Sequence, residues 1–337
     1  MKKRSSNKWF QPLPSSLKEL KDSFGVPLEK RVTCLAGGVG AARFLQGLVK
    51  VIPQEKITIV VNTGDDINLY GLHVSPDPDI IMYTLTEIVD EEKGWGIRND
   101  TFHALEMLKK FGLETWFKLG DKDFATHIHR THLLKEGYPL HKVTDIIRRA
   151  AGLRTKIIPM TNDKVTPKIS TDVGEMHFEE YLVKRGARDK VLNVTFEGAE
   201  SADPAPGVTE SIREADGVIV CPSNPIVSIG PILAVTGIRE ALRETKAKII
   251  AISPIVGGAT IKGPADKLMR GLGLEVSAYS VAFLYRDFLD VFIMDEVDKD
   301  DKERVERLNV KAIVTNTIMR SLQDKVRLAR LALSNIK

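Results

Sequence analysis

The stretch Val32–Leu48, VTCLAGGVGAARFLQGL, constrains the chain most. The run VTCLA ends in Gly37 and Gly38, one residue is skipped, Gly40 follows, and a helix-like pattern starts at once. Glycines at this spacing let the backbone turn tightly and come close to a ligand, and a helix opening there favours negative charge at its free N–H groups. The unit reads as a buried strand, a phosphate-binding turn and a helix. Arg43, one turn into that helix, can add a bidentate contact to a phosphate.

The rest of the chain repeats the alternation. ITIVVNTGDD, DGVIVCPSNP, AKIIAISPIVGG, LDVFIMDEVD and VKAIVTNT are short apolar runs ending in small or polar residues, as strands covered on both faces should be. PILAVTGIREALRE, ADKLMRGLG and LQDKVRLARLAL are helical patterns between or after them. Strand–helix alternation predicts an α/β fold with a doubly wound, mostly parallel sheet, whose ligands gather at the carboxyl ends of the strands. Residues 123–203 are more helical and more charged. There ATHIHRTHLLKEGYPLHKVTDIIRRAAG suggests two helices and KIIPMTNDKVTPKIS a short strand pair. We read 31–122 and 204–337 as the core, 123–203 as an inserted, largely helical region covering the site, and 1–30 as an N-terminal extension.

The glycine turn matches neither common nucleotide motif. A dinucleotide fingerprint needs a third glycine where Arg43 stands and an acid at the end of the second strand, where Asn62 stands. A G-x-x-x-x-G-K-[ST] loop is absent from the sequence. This disfavours a nicotinamide oxidoreductase. Carboxylates collect close by: Asp65 and Asp66 in NTGDD, then Asp77 and Asp79 in SPDPDI. Such a cluster calls for a hard cation, and magnesium uses one or two carboxylates together with phosphate oxygens. Each aspartate also has a plain alternative, as a turn former or a helix cap.

Two further strand ends have ligand-binding character. CPSNPIVSIGPIL carries Ser223, Asn224, Ser228 and Gly230, and SPIVGGATIKGPA carries Lys262. His127, His129 and His132 make a poor zinc site, because His127 and His129 diverge on a helix; they read as a polar helix face that reaches the substrate. No G-x-S-x-G elbow occurs in the sequence. Glycine turns, carboxylates and basic side chains suit phosphoryl transfer, which depends on positioning and charge stabilisation. The net charge of +4 is too small to argue for nucleic acid. No stretch approaches the ~20 apolar residues of a membrane span. Cys34 and Cys221 read as buried free thiols of a cytoplasmic protein.

With NTGDD, GLHVSPDPDIIMYTL, WGIRNDTF, KLGDKDFATH, CPSNPIVSIGPIL and SPIVGG…KGPA in this order, the chain resembles the 2-phospho-L-lactate transferases of coenzyme F-420 biosynthesis from Arg31 to the C-terminus. The resemblance implies a Rossmann-like homodimer requiring Mg2+. It would move a 2-phospho-L-lactyl or phosphoenolpyruvyl group from a lactyl or enolpyruvyl diphosphoguanosine to the ribityl hydroxyl of the deazaflavin Fo, releasing GMP. By resemblance, Asp79 and Lys118 match positions that contact the deazaflavin, and Asp65 and Asp66 stand where the metal or the attacking hydroxyl is expected; Asp77, from the carboxylate cluster, is a third metal candidate. The Ser223–Gly230 loop would face the guanine nucleotide, and Gly37, Gly38 and Gly40 the diphosphate. Arg43, Lys118 and Lys262 are the candidates to neutralise developing charge. The family often reads GGTGTPK at the turn, whereas this chain reads GGVGAAR. A related branch of the superfamily binds nucleotide sugars without catalysis and supplies the alternative reading.

Overall fold

A computed structural model describes residues 29–336; the predicted extension, residues 1–30, lies almost wholly outside them. Seven strands form the central sheet: β1 Val32–Ala36, β2 Ile57–Val61, β3 Lys156–Pro159, β4 Gly217–Val220, β5 Lys248–Ile252, β6 Val291–Met294 and β7 Lys311–Val314. Their order is β7-β6-β5-β4-β1-β2-β3, and all six pairings are parallel. The doubly wound sheet expected from the strand–helix alternation is therefore present.

The strands read as continuous apolar runs because both faces are covered. Leu35, Val60, Val218 and Val220 belong to one core, and Cys34, Ile59, Val61 and Ile219 to the core on the other face. Each fully buried aliphatic side chain contributes about 1.5–3 kcal/mol relative to an exposed one. Both cysteines are free and buried. Among the described residues, no helix is long and apolar enough to cross a membrane.

The chain builds outward from β1 to β3, then returns so that β4 pairs with the other side of β1. Connections leave these two neighbours in opposite directions, so a crevice opens between their carboxyl ends. Helix α1 (Gly38–Leu48) starts directly at the glycine turn, and α2 (Pro76–Leu85) packs beside it.

Three local readings are corrected. PILAVTGIREALRE is two helices, Ile229–Ala234 and Ile238–Glu244, with Gly237 between them as N-cap of the second. The two helices of the middle region are present as Asp121–Lys135 and Leu140–Ala150. The strands of KIIPMTNDKVTPKIS do not pair with each other. The first is β3, the edge of the main sheet, where Pro159 is tolerated. The second, Thr166–Thr171, is the middle strand of a separate antiparallel sheet with Gly174–His177 and Val191–Glu197. The middle region is thus largely helical but also carries this three-stranded sheet, and one of its strands belongs to the core.

Candidate active site

A cavity of about 920 Å³ opens at the carboxyl ends of the parallel strands. Its lining includes Gly37, Gly38, Gly40 and Arg43 from the first turn and helix, and Asp65, Asp77 and Asp79 from the loop after β2 and from α2. Lys118, Ser223, Asn224, Ser228 and Lys262 line it as well. Residues from five separate stretches of sequence therefore converge on one space.

The glycine turn is shaped by protein atoms. A Cβ on Gly37 would lie 2.6 Å from Asp77 Oδ2 and 2.8 Å from Ser228 Cβ, and one on Gly40 would lie 2.2 Å from the Pro222 carbonyl oxygen. Gly38 has φ +71, in the left-handed region that glycine favours. Its N–H donates to Asp77 Oδ1 at 2.7 Å, and the Gly37 N–H donates to Ser223 Oγ at 3.3 Å. An aspartate from the first turn of α2 thus already caps the N-terminus of α1, where negative charge is favoured.

Asn62 explains why the end of β2 carries an amide. It is fully buried, donates through Nδ2 to Asp77 Oδ2 (2.9 Å) and the Val227 carbonyl (3.3 Å), and accepts from the Gly64 N–H (2.9 Å). An aspartate there would set carboxylate against carboxylate. Asn224 has a similar bracing role: its Oδ1 accepts from the N–H groups of Ile226 and Val227.

Acidic groups gather on the cavity floor. Burial, with the charges of Asp77, Glu179 and Asp66, pushes the Asp65 carboxyl well above the carboxylate range. Burial raises Asp77 to about 6 against the hydrogen bonds from Asn62 and Gly38, and burial with the charge of Asp77 raises Glu179 to about 8. Oδ1 of Asp65 and Oδ1 of Asp66 are buried with no hydrogen-bond donor among the described residues. A hard cation fits this donor set: all carboxylate, desolvated, and short of positive charge.

Asp66 and Gly230 differ from the other expected site residues. Asp66 is absent from the cavity lining, and its Oδ2 accepts from Ser75 Oγ and pairs with His73 Nε2, both at 2.7 Å. Gly230 packs under Phe196, whose ring a Cβ would meet at 2.8 Å. The helix Ile229–Ala234 needs that glycine for packing.

The sequence reading missed Glu179, which follows the antiparallel strand Gly174–His177 and lines the cavity. No recognisable spacing announces it. It also left the partners of Asp79 unresolved. Asp79, Asp123 and His127 bring ligand atoms within 4.8 Å of one another, a set compatible with a divalent cation. Arg130 sits against two of these groups, paired with both oxygens of Asp79 and 3.1 Å from His127 Nδ1. His127 is buried whereas His129 and His132 are exposed, so the histidines diverge as the helical spacing predicts. Trp95, Phe117 and Leu182 add apolar walls. The arrangement can hold a phosphorylated ligand against carboxylates and a flat apolar ligand beside them.

Residues 32–330 match the profile of the family described as 2-phospho-L-lactate transferase CofD. The chain is 41% identical over 303 residues to the 2-phospho-L-lactate transferase of Methanocaldococcus jannaschii, covering 89% of this chain and 96% of that one. It is 45% identical over 312 residues to the phosphoenolpyruvate transferase of Streptomyces coelicolor, covering 90% and 97%. A solved structure of a UPF0052 family member from Bacillus halodurans shares the fold, with a TM-score of 0.60 at 16% identity over 90% of this chain and 98% of that one.

Proposed function

This chain belongs to the 2-phospho-L-lactate transferase CofD family, and from that premise we propose that it transfers a 2-phospho-L-lactyl or phosphoenolpyruvyl group to the ribityl hydroxyl of the deazaflavin Fo. The donor is the corresponding diphosphoguanosine, and the products are coenzyme F-420-0, or its dehydro form, and GMP. The enzyme works as a cytoplasmic homodimer with Mg2+. The observation that carries this reading is the cavity in which glycine turn, buried carboxylates and apolar walls meet.

The hydroxyl oxygen attacks the phosphorus that bears the lactyl or enolpyruvyl group. A new P–O bond forms while the bond from that phosphorus to the bridging oxygen breaks, and GMP leaves with that oxygen. The hydroxyl proton passes to a floor carboxylate. Asp65 is suited to orient the hydroxyl, because it lines the cavity and has an unpartnered oxygen. Asp65, Asp66 and Asp77 would hold magnesium, which when bound neutralises charge on the diphosphate. Arg43, Lys118 and Lys262 line the same space and stabilise charge developing on the leaving group and acceptor. Ser223, Asn224 and Ser228 form the nucleotide side, and Asp79 with Lys118 the deazaflavin side.

The test is single-turnover mixing of purified protein with Fo, Mg2+ and each donor in turn, reading GMP and phosphorylated deazaflavin by chromatography. Equal formation of both products with one donor is expected and identifies that donor. Guanine nucleotide binding without turnover on either donor would refute the transferase reading and favour a non-catalytic nucleotide-sugar-binding regulator.

A further inference from the structure

Behind the deazaflavin side of the cavity, Asp79 belongs to a network of buried groups whose other members the reaction above does not use. Arg130 is 1% exposed and Asp79 4% exposed. The guanidinium grips Asp79 with both ends of its fork: Nη1 donates to Oδ2 at 3.0 Å, and Nη2 donates to Oδ1. Nη1 also donates to His127 Nδ1 at 3.1 Å. That leaves the imidazole proton on Nε2, which is 3.3 Å from Asp123 Oδ1 but makes no hydrogen bond among the described residues, while the Tyr83 hydroxyl donates to the same Asp123 oxygen at 2.6 Å. Asp123, His127 and Arg130 recur at helical spacing on Asp121–Lys135, so one helix face meets α2. Asp79, Tyr83, Asp123 and His127 line the cavity, whereas Arg130 does not.

We infer that Arg130 is a positioning residue that fixes the Asp79 carboxylate toward the acceptor, and that the Asp79–Asp123–His127 cluster is built around this guanidinium and not around a metal ion. This rests on the acceptor assignment proposed above. The argument is geometric and electrostatic. A planar fork holds both carboxylate oxygens in one orientation, which a lysine ammonium cannot do. An internal cation already takes both oxygens of Asp79 and Nδ1 of His127, two of the three donor groups that a metal would need. Removing the fork frees the carboxylate to rotate and leaves it buried with a point charge or none. The acceptor then loses a fixed hydrogen-bond acceptor, while Asp77, which serves the phosphate side from the same helix, keeps its own partners Asn62 and Gly38.

The experiment is isothermal calorimetry and steady-state kinetics on the full chain with Fo and the productive donor. R130K should weaken Fo binding and raise its KM about tenfold, with the donor KM and kcat within about twofold, the order expected when an orienting partner is removed. In a D79N background the same Arg130→Lys change should cost less than about twofold, because the group it positions is gone. D79E, which keeps Arg130 and shifts the carboxylate by one methylene, should likewise weaken Fo binding and serves if R130K does not fold. Mn2+ binding, followed by electron paramagnetic resonance, should be equal in wild type and D79N. Unaltered Fo affinity in R130K or D79E, or equal effects in both backgrounds, would overturn the inference. So would loss of a bound Mn2+ in D79N, which would make the cluster a metal site. Failure of wild type to bind Fo would overturn the acceptor assignment as well.

Discussion

Replacing Glu179 by glutamine should stabilise the fold at neutral and alkaline pH and change it little near pH 4. Glu179 is buried on the cavity floor, and burial with the charge of Asp77 lifts its carboxyl from 4.5 to about 8. An acid whose folded value exceeds its unfolded value costs the fold nothing while both states are protonated, below about pH 4.5. The cost grows as the pH rises and is complete above about pH 8. At about 1.4 kcal/mol per pH unit, the full cost is about 5 kcal/mol, and at pH 7 it is about 3 kcal/mol. Glutamine keeps the shape and removes the charge, so E179Q should gain about 3 kcal/mol at pH 7 and less than about 1 kcal/mol at pH 5. Urea unfolding of both proteins at the two pH values measures this directly. Added Mg2+ should narrow the gap, because it supplies the missing positive charge to the wild type. A gain of equal size at both pH values would refute the electrostatic reasoning. A loss of stability at pH 7 would mean that the carboxylate is paired in the fold.

D65N should lower single-turnover rates by at least about a hundredfold while leaving thermal stability equal or higher, since it removes a carboxyl whose charged form burial and the neighbouring carboxylates disfavour; turnover near wild type would remove Asp65 from the chemistry. G40A should destabilise the fold by about 1–3 kcal/mol, because its methyl group meets the Pro222 carbonyl oxygen at 2.2 Å and neither backbone can yield cheaply; chemical denaturation checks it. N62D is almost isosteric, yet should cost about 2–4 kcal/mol at pH 8 and less at pH 5, since it replaces a donor to Asp77 by a like charge. A flat pH dependence of that loss would count against carboxylate repulsion as its cause.

Much of the architecture was legible in the chain. Apolar runs such as VTCLA and AKIIAI could only be strands covered on both faces, and their alternation with helical patterns left few arrangements besides a parallel doubly wound sheet. That logic also located the glycine turn and the loops after β2, β4 and β5 at the cavity, because parallel strands end on one side and their loops must converge there. Local pattern misled where tertiary pairing decided. KIIP and VTPKIS are adjacent strands, yet they belong to different sheets. Nothing in a short apolar run states which edge it will join.

The sequence by itself determined the fold class, the family motifs and the types of chemical group available. Backbone period and side-chain polarity act over a few residues and are readable in order. Only the tertiary structure decided how those groups are used. It set Asp77 on the Gly38 N–H, made Asn62 the donor that holds it there, turned Asp66 toward His73 and Ser75, and brought Glu179 in from a distant strand. It also seated Arg130 behind Asp79, 51 residues away in the chain. These contacts arise from desolvation and charge pairing across elements. Their strength depends on burial and distance, which no local pattern encodes.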